Sequence, residues 1–209
     1  EGSLHAAAAR VRKRPNPAAA NGPQPAGPHK LLAMADLEDV AWPPVPIRTE
    51  RLVLRQSEAR DRLAVIELFA SPEVCAYIGG AQPREELDRV VPEVPVRRAG
   101  VFAVDLAGTM IGFVELNRRD AERSAHIRTE AGEAELSYMF LPTAWGRGYA
   151  TEACAAALDW FANTRPNEPV VLCTQSANSG SMRLAAGLGF IEVERFQEFG
   201  AEQWFGVRS

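Results

Sequence analysis

The alternation of apolar and polar positions becomes regular only beyond about residue 41. Ile47 to Arg55 (IRTERLVLR) alternates as a first strand, and Asp61 is then expected to cap a helix through Leu63, Ile66, Leu68 and Phe69. Pro72 opens a short helix to Tyr77, Gly79-Gly80 turns the chain, and a charged helix follows from about Arg84 to Arg89, disturbed by Pro92 and Pro95. Val101 to Leu106 and Met110 to Leu116 read as a hairpin with Gly108 in its turn. Asn117 to Gly132 is polar and charged, a loop in which His126 reads as solvated. The chain then reaches the stretch around which it is organised. Leu136 to Leu141 is a strand, Trp145-Gly146-Arg147-Gly148-Tyr149-Ala150 a loop bounded by Pro142, and Ala150, Ala153, Cys154, Ala157, Leu158 and Phe161 recur at helical spacing. That helix ends near Asn163, ahead of Pro166 and Pro169. Val170 to Thr174 reads as a buried strand, Asn178 to Leu188 as a capped helix closed by Gly189, and Phe190 to Arg195 and Gln203 to Arg208 as the last strands. Strands alternate with helices only in part, which predicts an α/β (α+β) fold: a mixed sheet flanked by helices.

Residues 1–41 are rich in Ala, Pro and Gly and lack any periodicity that could bury a face, so a flexible tail is expected, with a single domain over 42–209. Met34-Ala35-Asp36 looks like a natural start, making the first 33 residues an added or upstream extension; an organelle transit peptide is opposed by the prolines. Charge sharpens this division. Of 23 basic and 27 acidic residues, five basic and one acidic fall in residues 1–33, leaving the other 176 with 18 and 26, a net −8. An acidic domain without a basic stripe argues against nucleic acid and suits a cationic substrate. Cys75, Cys154 and Cys173 are widely spaced in apolar surroundings and read as reduced core residues of a cytoplasmic protein. No cysteine or histidine spacing points to a metal, and no apolar run is long enough for a membrane.

The glycine loop carries the chemistry. Glycines at 146 and 148 allow close approach of the backbone, and the helix start that follows offers unpaired N–H groups and a partial positive charge, an anion site of the kind that takes phosphate. An ordinary tight turn is the alternative. A Walker loop fails for want of Gly-Lys-Ser/Thr, and a dinucleotide GxGxxG fails because Thr151 stands where its third glycine belongs.

Three segments, in order, resemble one family. Pro142 to Ala153 (P-x-x-W-G-R-G-Y-A-T-E-A) is similar to motif A of the GNAT acyl-CoA N-acyltransferases, Asn178 to Phe190 resembles their following motif, and Thr49 to Arg55 (TERLVLR) resembles the opening of the RimJ/RimL-like branch. Together they span roughly residues 47–208. Trp145 stands where motif A usually opens with Gln or Arg. The resemblance implies a strongly twisted sheet split between its fourth and fifth strands, with acetyl-CoA as co-substrate in the split and no metal. It places the pyrophosphate on the amides of Gly146, Arg147, Gly148, Tyr149 and Ala150, with the Thr151 hydroxyl and the Arg147 guanidinium beside it. The pantetheine arm pairs like an added strand with the backbone of Met139, Phe140 and Leu141. Asn178 would bond that arm, with Ser181 and Arg183 facing the cofactor. Helix capping by Asn178 and Ser181 and a plain surface role for Arg183 are the alternatives.

The implied reaction is direct attack of an amine on the thioester. Glu135 is the expected base, on a strand face shared with Glu133, Ser137 and Met139. Relatives that use a Tyr in the second motif have Ala185 in this chain, and those with a Glu on the fifth strand have Cys173, so protonation of the thiolate falls to Ser181, to Tyr138 if its face permits, or to solvent. The expected activity is acetyl-CoA-dependent N-acetylation of a protein N-terminus or a small amine by a monomer or homodimer. A non-catalytic acyl-CoA-binding or regulatory module and a pure interaction protein are the competing readings.

Overall fold

The computed structural model describes residues 37, 40, 42, 45–95, 97–128 and 132–209. Among these, eight strands form one sheet in the order β1-β2-β3-β4-β5-β6-β8-β7. The strands are β1 (Ile47–Arg48), β2 (Val53–Arg55), β3 (Val101–Leu106), β4 (Thr109–Arg118), β5 (Ala134–Phe140), β6 (Val170–Gln175), β7 (Ile191–Glu198) and β8 (Ala201–Arg208). Helices α1 (Arg62–Ala70), α2 (Pro72–Cys75) and α3 (Arg84–Val90) pack on one face, and α4 (Tyr149–Thr164) and α5 (Ser179–Gly187) on the other. Every neighbouring pair is antiparallel except β5 and β6.

Period-two alternation divides β5 between the two cores. Leu136 and Phe140 join the cluster built around Ala153, Cys154, Ala157, Leu158 and Phe161 of α4, while Met139 joins that of Ile66, Leu68 and Phe69 of α1. The α4 cluster extends to Leu37, Val40 and Trp42, within or beside the expected tail; Leu37 is 2% exposed, and the Trp42 ring meets Phe102 at 5.2 Å and Trp160 at 6.2 Å. The rest of the expected tail lies outside the described residues.

Two local expectations change. Ile47 to Arg55 is a hairpin rather than one strand, because the Thr49 hydroxyl accepts the Leu52 amide at 2.9 Å and closes a turn. Asp61 sits at the start of α1 without capping it. Its carboxylate is 1% exposed and binds Arg55 (2.7 and 2.9 Å) and the Glu58 amide (2.7 Å). Hydrogen bonding by Asp61, with Asp105 also bound, raises the Arg55 guanidinium further; burial would raise Asp61, but the bonds from Arg55 and the Glu58 amide with the nearby arginine charges together outweigh it and hold the carboxyl low.

β5 and β6 pair only at Ala134–Val170 and Glu135–Val171. Beyond Glu135 the two part, β5 staying on β4 and β6 on β8. The sheet is therefore split at the carboxyl ends of its two parallel strands, the ends from which the chain leads into α4 and α5.

Candidate active site

The 145–151 loop follows β5 after Leu141 and a 3-10 turn, Pro142–Ala144. Gly146 and Gly148 have φ of +72° and +79°, the left-handed region that costs glycine little, and a Cβ at Gly146 would meet no atom within 4 Å. Trp145 N–H donates to Pro142 O (3.1 Å) and Glu152 N–H to Gly148 O (3.0 Å); among the described residues the amides of 146–151 between them have no backbone acceptor, and no side chain caps the helix. Six donors thus stand without backbone partners at or just before the positive end of a 16-residue helix.

Strand register decides which groups of β5 face the split. Leu141 N–H donates to Ile111 O (2.9 Å) and Leu141 O accepts from Ala144 N–H, so both backbone groups of Leu141 are taken; Met139, two residues earlier, aims its own toward β4. Tyr138 and Phe140 aim theirs into the split. The edge expected of Met139, Phe140 and Leu141 is carried by Tyr138 and Phe140. Trp145, 48% exposed, already donates its indole N–H to Phe140 O at 2.8 Å.

Across the split, Asn178 starts α5 by accepting the Ser181 amide (3.1 Å), and the Ser181 hydroxyl lies 2.5 Å from that of Tyr138. The tyrosine is thus on the face that the sequence left open. Burial lifts its phenol above the ordinary value, partly opposed by the Ser181 bond, so the group is a proton carrier at neutral pH. Arg183 is exposed on α5, and Arg147 and Thr151 are exposed at the loop.

On the opposite face Glu135 is 6% exposed and bonded to Arg119 Nη1 at 2.5 Å. Sequence reading gave this arginine no role. Its side chain, fully buried, also donates to the Ala125 and Ser124 carbonyls (2.9 and 2.5 Å) and lies over the Phe205 ring at 4.9 Å. The loop is consequently anchored at the buried Arg119 and half-buried over 123–127, His126 included, while 120–122 and Arg128 are exposed. His126 sits between Glu133 Oε2 (2.8 Å) and Arg123 O (2.9 Å), so both ring nitrogens are engaged. Burial would raise the Glu133 carboxyl, but the bonds from His126 and backbone amides outweigh it and hold the group low. Arg123 pairs with Glu198 at 2.9 Å. Glu135 and Glu198 are each paired with an arginine, and Glu133 is held by His126 and the Ile127 and Arg128 amides, so all three carboxylates are already engaged within the fold.

Cys173 is half-buried on the Glu135 side of β6 rather than fully in the core. Burial raises its thiol, with Arg119 the largest opposing influence, which keeps it an unreactive thiol. Burial alone pushes Cys75 up to about 11. Among the described residues no group of three or more His, Cys, Asp or Glu could hold a metal ion, and no helix is long and apolar enough to cross a membrane.

A mixed sheet parted between two parallel strands, with bare amides at the head of the helix after the first, is the architecture of the GNAT fold. The chain belongs to the GNAT acetyltransferases: the family described as acetyltransferase (GNAT) domain matches residues 51–191. It is 28% identical over 149 residues to the uncharacterised protein YkkB of Bacillus subtilis, covering 68% of this chain and 82% of that protein. A GNAT-family acetyltransferase of Bacillus anthracis superposes with a TM-score of 0.63 at 21% identity, covering 78% of this chain and 98% of the other. RimL, a ribosomal L7/L12 alpha-N-protein acetyltransferase solved with coenzyme A, does so with 0.54 at 15% identity, over 78% and 97%. These neighbours share the fold.

Proposed function

We propose that this chain is an N-acetyltransferase that uses acetyl-CoA and passes the acetyl group directly to an amine. The observation that carries the reading is the row of unpaired amides from Gly146 to Thr151, opening onto a split whose walls are joined by the Tyr138–Ser181 hydrogen bond. The amides would hold the diphosphate, with the Arg147 guanidinium and Thr151 hydroxyl available to it. The outward backbone of Tyr138 and Phe140 would pair with the amides of the pantetheine arm. The bound thioester supplies the activated acetyl group. The protein's part is to hold the amine in line with it, an effect of about 7–11 kcal/mol, and to manage protons.

Tyr138, through Ser181 or directly, is the proton donor to the leaving sulfur. Glu135 is the base for the incoming amine, acting through the carboxylate oxygen not bonded to Arg119 or through water. The acceptor is the α-amine of a protein N-terminus, the reading that the TERLVLR opening and the likeness to RimL support, or a small amine; the fold alone does not choose. The test is acetyl-CoA consumption across a panel of amines and N-terminal peptides beside a control without acceptor. Acceptor-dependent release of free thiol supports transfer. Tight coenzyme binding with no turnover on any acceptor favours a non-catalytic acyl-CoA-binding module, a reading to which the Glu135–Arg119 pair lends weight.

A further inference from the structure

The turn between β1 and β2 lies about a hundred residues from the glycine loop in sequence, yet it grips both ends of it. Arg51 Nη1 donates to the Arg147 carbonyl at 3.0 Å, inside the loop. Its Nε and Nη2 reach Glu152 Oε2 in the first turn of α4 at 2.7 and 2.6 Å. The guanidinium lies 4.7 Å from the centre of the Tyr149 ring, and a Cβ at Gly148 would come 3.4 Å from Nη2. The same turn adds two bonds to the other Glu152 oxygen, from the Arg51 amide (3.0 Å) and the Thr49 hydroxyl (2.5 Å).

Two physical consequences follow. A trans peptide points its C=O and N–H in opposite directions, so fixing the Arg147 carbonyl toward Arg51 turns the Gly148 amide away from it, among the donors proposed to hold the anion. A carboxylate in the first turn favours the helix dipole but stands beside an anion site; Arg51 matches its charge. Burial would raise the Glu152 carboxyl, and the bonds from Thr49 and Arg51 outweigh this and keep it charged.

We infer that Arg51 is a positioning residue for the coenzyme's diphosphate: it sets the loop and neutralises Glu152 without itself being a phosphate ligand, its charge being already engaged. The inference rests on the acetyl-CoA reading above and assigns the Thr49–Arg51 turn its part in that site.

The experiment compares two acetyl donors, acetyl-CoA and S-acetylpantetheine, which lacks the diphosphate, in wild type, Arg51→Ala, Arg51→Lys and the double variant Arg51→Ala/Glu152→Gln. Thermal melts accompany each; Arg51 is a surface side chain, 42% exposed, so the variants are expected to fold. In Arg51→Ala the KM for acetyl-CoA should rise about tenfold with kcat little changed, so the kcat/KM ratio of acetyl-CoA over S-acetylpantetheine falls by the same factor. Lys, which keeps the charge but not the fork, should restore part of it, and so should removal of the Glu152 charge in the double variant. Equal losses on both donors, or no loss on acetyl-CoA, would overturn the assignment of Arg51. A wild-type chain that neither binds nor uses acetyl-CoA would overturn the functional reading itself.

Discussion

Tyr138 and Glu135 lie three residues apart on one strand and therefore on opposite faces, which gives their substitutions separate signatures. Tyr138→Phe keeps the ring among its apolar neighbours and deletes only the hydroxyl shared with Ser181. It should lower kcat by roughly 10²-fold, the low end for acid–base catalysis because a thiolate can also take its proton from solvent, with acetyl-CoA affinity unchanged. Steady-state kinetics beside equilibrium titration checks this. Glu135→Gln leaves the fully buried Arg119 without its counter-charge, and is expected to cost about 3 kcal/mol because the amide oxygen still accepts a bond. Denaturant unfolding measures that cost; an unchanged midpoint would show that the pair contributes little. The sequence pointed to Glu135 through strand alternation and to Tyr138 only conditionally. It could not show Arg119, because that partner comes from a loop whose path is set by Glu133 and Glu198, residues of other elements.

At the scale of elements, the loop and helix at 145–164 were legible because their signals are local: two glycines, helical apolar spacing and prolines beyond. The hairpin at 47–55 was not, since its turn depends on one hydroxyl taking an amide, a choice that alternation does not record. Nor was the parity of the free β5 edge proposed for the pantetheine arm, which follows from the register of β5 on β4. Gly148 tests the element most directly. At φ +79° an alanine is strained by about 1–2 kcal/mol, whereas its Cβ, 3.4 Å from Arg51 Nη2, makes only an ordinary contact. Gly148→Ala should therefore weaken coenzyme binding while the far-ultraviolet spectrum stays that of the wild type. Retained affinity would show that the loop tolerates another path.

Over the whole molecule, the buried and clamped carboxylates make the fold acid-sensitive. Asp61, Glu133 and Glu152 are all held below their ordinary values, 3.8 for the first and 4.5 for the others. A carboxyl depressed in the folded state contributes stability that is full above its ordinary value and is lost as pH falls through the folded one. Stability should thus be flat in these groups from neutrality to about pH 5 and decline below 4.5, as read from denaturant midpoints at stepped pH. Net acidity was legible as composition, but where the carboxylates find their partners was not. Glu135 and Glu198 are paired with Arg119 and Arg123 and Glu133 is bonded to His126, so part of the −8 outside the first 33 residues is taken up within the fold.

The central claim is that bare main-chain donors at the head of α4 hold a coenzyme by its diphosphate. Calorimetric titration with coenzyme A and, separately, with pantetheine addresses it most directly. The account predicts saturable binding of coenzyme A and far weaker binding of pantetheine; equal affinities, or no heat from coenzyme A, would contradict it.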